Sequence, residues 1–116
     1  MKPREKMLTE LEKEKLLAFA IDADEVATNL YDYDVEASRK IYAQAEIWYF
    51  LAEEELCANK CRMIRVGLGS SEQADEEYTQ ALLKVKKTIS SLNLLKNISI
   101  WGLGNTPKRK MPAHYH

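Results

Sequence analysis

Proline and glycine are confined to a few places in this chain of 116 residues. The prolines are Pro3, Pro107 and Pro112. Residues 4–106 therefore contain no proline, and the four glycines lie in only two short segments, 67–69 and 102–104. These two residue types interrupt helices, and the Asn-Gly type of sequence that joins strands in hairpins is missing. The pattern therefore favours long helices. We predict an all-α fold.

Length and composition predict one folded domain. A chain of this size is typical of a single core, and its 46% hydrophobic and 30% charged residues are ordinary for a globular protein. We expect a helical domain over residues 1–104 and a basic, proline-containing tail over residues 105–116. No stretch approaches the roughly 20 apolar residues of a membrane span, and the charged N-terminus lacks a signal-peptide core. We therefore expect a cytoplasmic protein without a membrane partner.

The first helix is predicted to begin at Thr9. Its hydroxyl and Glu12, three residues later, form the pattern of a capping box. An apolar stripe at steps of three and four residues follows and indicates a buried face. The stripe comprises Leu16, Ala20, Ala23, Ala27 and Leu30, widened by Phe19, Ile21 and Val26. We expect this helix to end between Asn29 and Asp32.

A second, long helix is predicted to follow Asp34, whose carboxylate is suited to cap free backbone N–H groups. Residues 35–66 contain no helix breaker, so we predict one helix over this range, with a kink allowed. Residues 47–51 are apolar at consecutive positions and therefore on all sides of the helix, which indicates a central or interfacial position. Gly67 or Gly69 is predicted to end the helix in the left-handed conformation.

Ser70 and Gln73 form a second capping-box pattern and predict the start of a third helix. This helix carries a heptad-like apolar face that indicates packing on another helix. The face comprises Tyr78, Leu82, Val85, Ile89 and Leu92, with Ala74 and Ala81 beside them. We expect the helix to end between Leu92 and Ser99. The predicted fold is thus a bundle of about three main helices with an extended C-terminal tail.

Charge is segregated along the chain although the net charge is only −1. Residues 1–77 hold all 18 acids and 10 bases, a net charge of −8, whereas residues 78–116 hold seven bases and no acid. The candidate acidic interaction face comprises Asp22, Asp24, Glu25, Asp32, Asp34 and Glu36. In one interpretation the acidic and basic parts stay solvated or pack within the monomer. In the other, the basic end of one copy binds the acidic region of a neighbour, as in a ring or filament.

The residue inventory does not suggest a catalytic, metal or cofactor site. The only histidines, His114 and His116, lie at the chain end, and none of the common catalytic or nucleotide-binding motifs occurs. Ala27 occupies the glycine position of a calcium loop begun at Asp22 and excludes that motif. Cys57 and Cys61 share a helix face and could hold a soft metal only with two further ligands. We expect these two cysteines to act as small buried hydrophobes.

The C-terminal segment carries the candidate partner-binding residues. They are Trp101, Leu103, Lys108, Arg109, Lys110, Met111 and Tyr115. This mixture of apolar anchors and basic charge cannot close a core by itself but can add contacts to a partner surface. Together with Lys84, Lys86, Lys87 and Lys96, the same bases would also attract nucleic acid. We favour protein docking, because the isoelectric point of about 6.1 is low for a dedicated nucleic-acid binder.

The chain resembles a family of phage proteins in its overall pattern. It combines an alanine- and aromatic-rich central helix, an amphipathic helix opened by residues 78–83, and a short basic tail. The central residues are Tyr42, Ala45, Trp48, Tyr49, Phe50, Leu51 and Ala52. In this pattern the chain is similar to tailed-phage head–tail connector (adaptor) proteins. The resemblance implies a ring of identical subunits under the portal, a C-terminal tail docked on a neighbouring component, and a place in the virion.

These features together predict a non-enzymatic structural or assembly protein that acts through protein–protein contacts as a homo-oligomer or part of a larger assembly. A connector-like ring subunit is the most concrete version of this prediction. The alternative is a small helical regulator. Through its basic C-terminal third, this regulator would bind either nucleic acid or an enzyme of nucleic-acid metabolism. The two differ in salt dependence, because phosphate contacts weaken steeply with added salt.

Overall fold

The computed structural model describes residues 8–94, and these form four α-helices. The helices are α1 (Glu10–Leu30), α2 (Val35–Leu51), α3 (Glu55–Gly67) and α4 (Ser71–Leu92). The all-α prediction is confirmed for this part of the chain. The predicted domain boundary at residue 104 and the tail after it lie outside the described residues.

Three helix starts follow the capping chemistry that the sequence predicts. The Thr9 hydroxyl accepts a hydrogen bond from the Glu12 backbone N–H, and the Glu12 carboxylate accepts one from the Thr9 N–H. Ser70 and Gln73 form the same reciprocal pair at the start of α4. Asp34 caps α2 by accepting from the Ala37 N–H at 3.1 Å. Each cap satisfies backbone donors that have no partner within the helix.

The predicted long helix over residues 35–66 is instead two helices, which raises the number of helices to four. α2 ends at Leu51, and the chain reverses at Glu53, which has a φ of 65°. The N–H groups of Glu53 and Glu54 donate to carbonyls of the last turn of α2, at 3.0 and 2.9 Å. A continuous rod of about 48 Å would leave the apolar face of residues 55–67 without a partner. Folding back buries that face, which offsets the left-handed conformation of Glu53.

The glycines of the α3–α4 turn have a different role from the predicted one. Neither Gly67 nor Gly69 has a positive φ, and α3 is followed by Leu68 in a right-handed conformation, so the predicted left-handed cap is wrong. A Cβ at Gly69 would lie 2.7 Å from Oε1 of Gln73 and 3.0 Å from Cδ of Arg39. Glycine is therefore suited to this position because two side chains approach its backbone closely.

Helix α2 is the centre of the bundle and packs against each of the other three helices, whereas α1 makes only marginal contact with α3 and α4. α1 runs antiparallel to α2, since Ser38 lies at Ala27 and the Trp48 ring stacks on Phe19 with centroids 4.7 Å apart. The buried apolar residues of α2 are Tyr42, Ala43, Ala45, Ile47, Trp48 and Tyr49. Small residues between the aromatic ones allow the helices to approach closely on several sides.

Several apolar residues that the sequence assigns to buried faces are exposed. Ile21 and Val26 of α1 lie on the solvent side, and so does Leu92 at the end of α4. Phe50 is 49% exposed, so the segment 47–51 is buried on most sides but not around its whole circumference. These residues lie at the edge of their stripe or near a helix end, where no neighbouring helix covers them. None of the helices in residues 8–94 has the length and hydropathy needed to cross a membrane.

Candidate functional site

Two buried ion pairs fix α4 and α3 to α2. Nε and Nη2 of Arg39 donate to both carboxylate oxygens of Glu77 at 2.7 to 3.2 Å, and each side chain is only 9% exposed. This hydrogen bonding to Glu77 raises the pKa of the Arg39 guanidinium. The pair is a hydrogen-bonded structural contact between the first half of α4 and the first half of α2.

The second pair joins all three of these helices. Nε of Arg65 on α3 donates to Oε1 of Glu46 on α2 at 2.6 Å, and its Nη1 donates to the Ala74 carbonyl of α4 at 3.1 Å. The guanidinium also lies 5.2 Å from the ring centre of Tyr78. Burial raises the pKa of Glu46, and the nearby charge of Arg65 opposes this effect. Arg65 thus connects the three helices where the α3–α4 turn begins.

Polar contacts between α1 and α2 are few and lie among small residues. The buried Ser38 hydroxyl donates to the Ala27 carbonyl at 2.8 Å. The Tyr49 hydroxyl donates to Oδ2 of Asp24 at 2.8 Å, and the pKa of Tyr49 is raised by burial and by this carboxylate. The hydroxyls of Thr28 and Tyr42 lie 2.9 Å apart. These contacts fix the register of the two helices.

The residues of the predicted acidic face have different surroundings in the structure. Asp24 accepts from Tyr49, Asp34 caps α2, and Glu36 forms an ion pair with Lys40 at 3.1 Å. Asp22, Glu25 and Asp32 are exposed to solvent. Asp24, Asp34 and Glu36 therefore have partners within residues 8–94, although Asp34 and Glu36 are exposed to solvent as well.

The two cysteines line the α2–α3 contact. Cys61 is fully buried, and burial raises the pKa of its thiol to about 12. Cys57, one turn earlier, is partly buried against the same core. Within residues 8–94 no group of three or more His, Cys, Asp or Glu side chains could hold a metal ion. A thiol with such a pKa stays protonated at neutral pH, as expected of a small hydrophobe in a core.

A groove of about 550 Å³ opens at the end of the bundle where α1 meets α2 and α3 ends. We name it the turn-end groove. Its lining consists of Thr28, Tyr31, Asp32, Tyr42, Ile64, Gly67 and Leu68. Tyr31 is 44% exposed, while Ile64 and Leu68 are half-buried, so the groove offers an aromatic ring and two aliphatic side chains to solvent. Its lining is apolar except for the hydroxyls and the carboxylate of Asp32.

The charge at the turn-end groove comes chiefly from Asp32. The C-terminal ends of α1 and α3 lie at the groove, but α2 and α4 begin three residues after Asp32 and Leu68, so the negative and positive ends of the helix dipoles partly offset each other. The last turn of α1 contains no basic residue. The last turn of α3 contains Arg65, but its guanidinium is bound to Glu46 and to the Ala74 carbonyl. Among the described lining residues Asp32 is acidic and exposed and none is basic, so its carboxylate favours a cation at the groove.

The groove and the ion pairs were not among the sequence predictions. The groove is made by residues from three helices, so no local spacing indicates it. The sequence does contain an indication of the ion pairs, because each charged residue lies one helical turn from a buried residue and therefore on an apolar face. Glu77, for example, lies between Ala74 and Ala81 on the apolar face of α4. A charge at such a position indicates a buried partner but does not identify it.

The predicted partner-binding residues of the tail lie outside residues 8–94. They are Trp101, Leu103, Lys108, Arg109, Lys110, Met111 and Tyr115. On the described part of the basic third, Lys84 and Lys87 are exposed one turn apart on α4. Comparisons with protein-family models, with curated proteins and with solved structures give no significant match to this chain.

Proposed function

We propose that this chain is a non-enzymatic structural or assembly protein that acts through protein–protein contacts and associates with copies of itself. The observation that carries the proposal is the turn-end groove with its exposed aromatic rim. Tyr31, Tyr33 and Val35 are 44%, 86% and 43% exposed, and all three lie in or beside the turn that borders the groove. Aromatic residues around a concave apolar surface are typical of protein interfaces.

A second exposed apolar face supports the same proposal. Leu56 and Met63 of α3 are 85% and 71% exposed and lie seven residues apart, on one side of the helix. α3 packs mainly on α2, so no other helix of residues 8–94 covers its outer side. Two such surfaces on one small chain would allow each copy to contact two neighbours.

The concrete form of the proposal is a ring subunit similar to a phage head–tail connector. Its support is the charge segregation, because a ring needs two different and complementary surfaces on each subunit. Residues 1–77 carry all 18 acids and residues 78–116 carry seven bases and no acid, so the two parts of the sequence are complementary in charge. Such a ring would have one defined number of subunits.

Static light scattering after size exclusion, over a hundredfold range of concentration, tests this proposal. We expect a mass that is a discrete multiple of 13.4 kDa. The double variant Leu56→Ser and Met63→Ser tests whether the outer face of α3 contributes. A mass of 13.4 kDa at every concentration would contradict self-association.

Nucleic-acid binding is the second candidate, and the exposed lysines of α4 favour it. Residues 78–94 contain three lysines and no acid, and Lys84 and Lys87 lie on one side of the helix. Fluorescence anisotropy with a labelled DNA and a labelled RNA, from 50 to 300 mM salt, tests this role. A steep loss of affinity with salt supports it, because phosphate contacts release counterions. Lys84→Gln and Lys87→Gln should then weaken binding for all sequences alike.

A further inference from the structure

We propose that the turn-end groove binds the C-terminal segment of a second copy of this chain, residues 101–116, with the cluster Lys108-Arg109-Lys110 beside Asp32. This inference rests on the proposed self-association and assigns to it a receptor surface and an occupant.

The charges of the two parts are complementary. Residues 8–94 hold 17 acids and 10 bases, whereas residues 95–116 hold four bases and no acid. At the groove, the exposed carboxylate of Asp32 supplies an acidic side chain, and none of the described lining residues is basic. A cluster of three adjacent bases fits this combination, because each basic side chain can approach a carboxylate or a carbonyl at a helix end.

The apolar surfaces are complementary as well. The groove presents the ring of Tyr31 and the aliphatic side chains of Ile64 and Leu68. The segment carries Trp101, Leu103, Met111 and Tyr115 on both sides of its basic cluster. A short peptide with apolar anchors around a basic centre can fill an apolar groove and place its charge at an acidic rim. An Arg109 guanidinium over the Tyr31 ring would add a cation–π contact.

The reach of the chain favours a second copy over the chain's own groove. α4 starts three residues after Leu68 and extends for 22 residues, or about 33 Å, away from the groove. Lys108 follows Leu94 by 14 residues. An unconstrained chain of that length spans about 20 Å on average, so binding its own groove requires a stretched chain and gives a low effective concentration. A second copy brings its segment to the groove without this restriction.

The test uses full-length chains with three sets of changes. The groove variant is Asp32→Lys, at an exposed turn position. The tail variant combines Lys108→Ala, Arg109→Ala and Lys110→Ala. The control is Glu14→Lys, which makes the same change of charge at an exposed position of α1 outside the groove and outside the acidic interaction face. Far-ultraviolet circular dichroism and thermal melting verify that each variant is folded before its self-association is measured by sedimentation velocity.

We expect the groove and tail variants each to weaken self-association about tenfold, and the control less than twofold. We expect the difference in self-association between the wild type and these charge variants to be smaller at high salt, because exposed charges are screened. Mixing groove and tail variants provides the decisive measurement. The groove variant has an intact tail, and the tail variant has an intact groove. A mixture should therefore form dimers in which the tail of one groove variant binds the groove of one tail variant. Binding within one chain would give no such rescue.

The outcomes separate this inference from the proposed function. If the wild type associates but Asp32→Lys acts no more strongly than Glu14→Lys, the groove is wrong and assembly through another surface stands. If both variants are monomeric and their mixture is monomeric as well, the groove does not bind the tail of a second copy. A wild type that stays monomeric at every concentration overturns the inference together with proposed self-association. Tyr31→Ser serves as a second groove variant and should weaken association without any change of charge.

Discussion

Helix α2 contacts α1 and α4 by different chemistry. Toward α1 it presents small and aromatic residues, with Trp48 stacked on Phe19 and Ser38 bonded to a backbone carbonyl. Toward the start of α4 it presents Arg39, which pairs with Glu77 in a contact almost closed to solvent. The first contact gains stability in proportion to the apolar area removed from water. The second gains little net stability, because desolvation of both charges offsets their attraction.

This difference suggests a division of roles. The apolar part of a helix contact has no preferred direction, because its stability depends on the area removed from water. A hydrogen-bonded ion pair is satisfied in one geometry only, and a shift leaves a buried charge without its partner. The Arg39–Glu77 pair therefore contributes more to the position of α4 on α2 than to the stability of that contact.

Removal of the central aromatic side chain should have the largest effect. Trp48→Ala deletes an indole that is 4% exposed and leaves Phe19 without its stacking partner. We expect a loss of about 4 kcal/mol in the free energy of unfolding, because a large cavity opens in the apolar contact. Urea denaturation followed by circular dichroism measures it. An unchanged midpoint would show that the α1–α2 contact does not depend on this residue.

Breaking the ion pair should have the next largest effect. Glu77→Ala leaves the Arg39 guanidinium buried without a carboxylate, and we expect a loss of about 3 kcal/mol. The double variant Arg39→Met and Glu77→Leu removes both charges and should return to within about 1 kcal/mol of the wild type. Urea midpoints of the single and double variants make the comparison. If the double variant is as unstable as the single one, the ion pair itself adds net stability and does more than fix the position of α4.

A smaller effect is expected at the one fully buried hydroxyl of the α1–α2 contact. Ser38→Ala removes the donor to the Ala27 carbonyl. We expect a loss of about 1 kcal/mol, the usual net value of one hydrogen bond. The midpoint in urea should move by about a quarter of the shift of Trp48→Ala. A shift as large as that of Trp48→Ala would mean that the α1–α2 contact depends on geometry as the α4 contact does.

The smallest effect should be a change in pH dependence caused by Glu46. Burial raises the folded-state pKa of this carboxyl above its ordinary value of 4.5, so the folded protein binds the proton more tightly than the unfolded chain does. The contribution of Glu46 to stability should therefore rise as the pH falls from the raised pKa to about 4.5. Glu46→Gln should remove this part of the pH profile. Urea midpoints of both proteins at pH 7 and pH 5 measure it, and parallel profiles would contradict the raised pKa.

Most of the fold was predictable because its signals are local. Thr9, Asp34 and Ser70 start helices by capping chemistry that needs only three or four neighbouring residues. The end of α2 was not predictable in this way, since Ala52, Glu53 and Glu54 contain no glycine or proline. The chain reverses there because α3 must return to pack on α2, which is a property of the whole bundle.

The candidate site was predictable only in part, for the same reason. Composition identified Asp32 as an acidic residue of interest, and the structure places it at the rim of a groove. The other walls come from Tyr42 and Ile64, which are distant in sequence and carry no signal of their own. Their arrangement depends on how α1 and α3 sit on either side of α2.

The central position of α2 also determines how the molecule opens. Because α1 and α4 hardly touch each other, either can detach while the remaining helices stay packed on α2. Amide hydrogens of α1 and of the second half of α4 should then exchange with solvent through partial opening. Those of α2 should exchange only when all the helices separate. α2 would thus be the slowest-exchanging segment of the chain, and its protection would report the stability of the entire bundle.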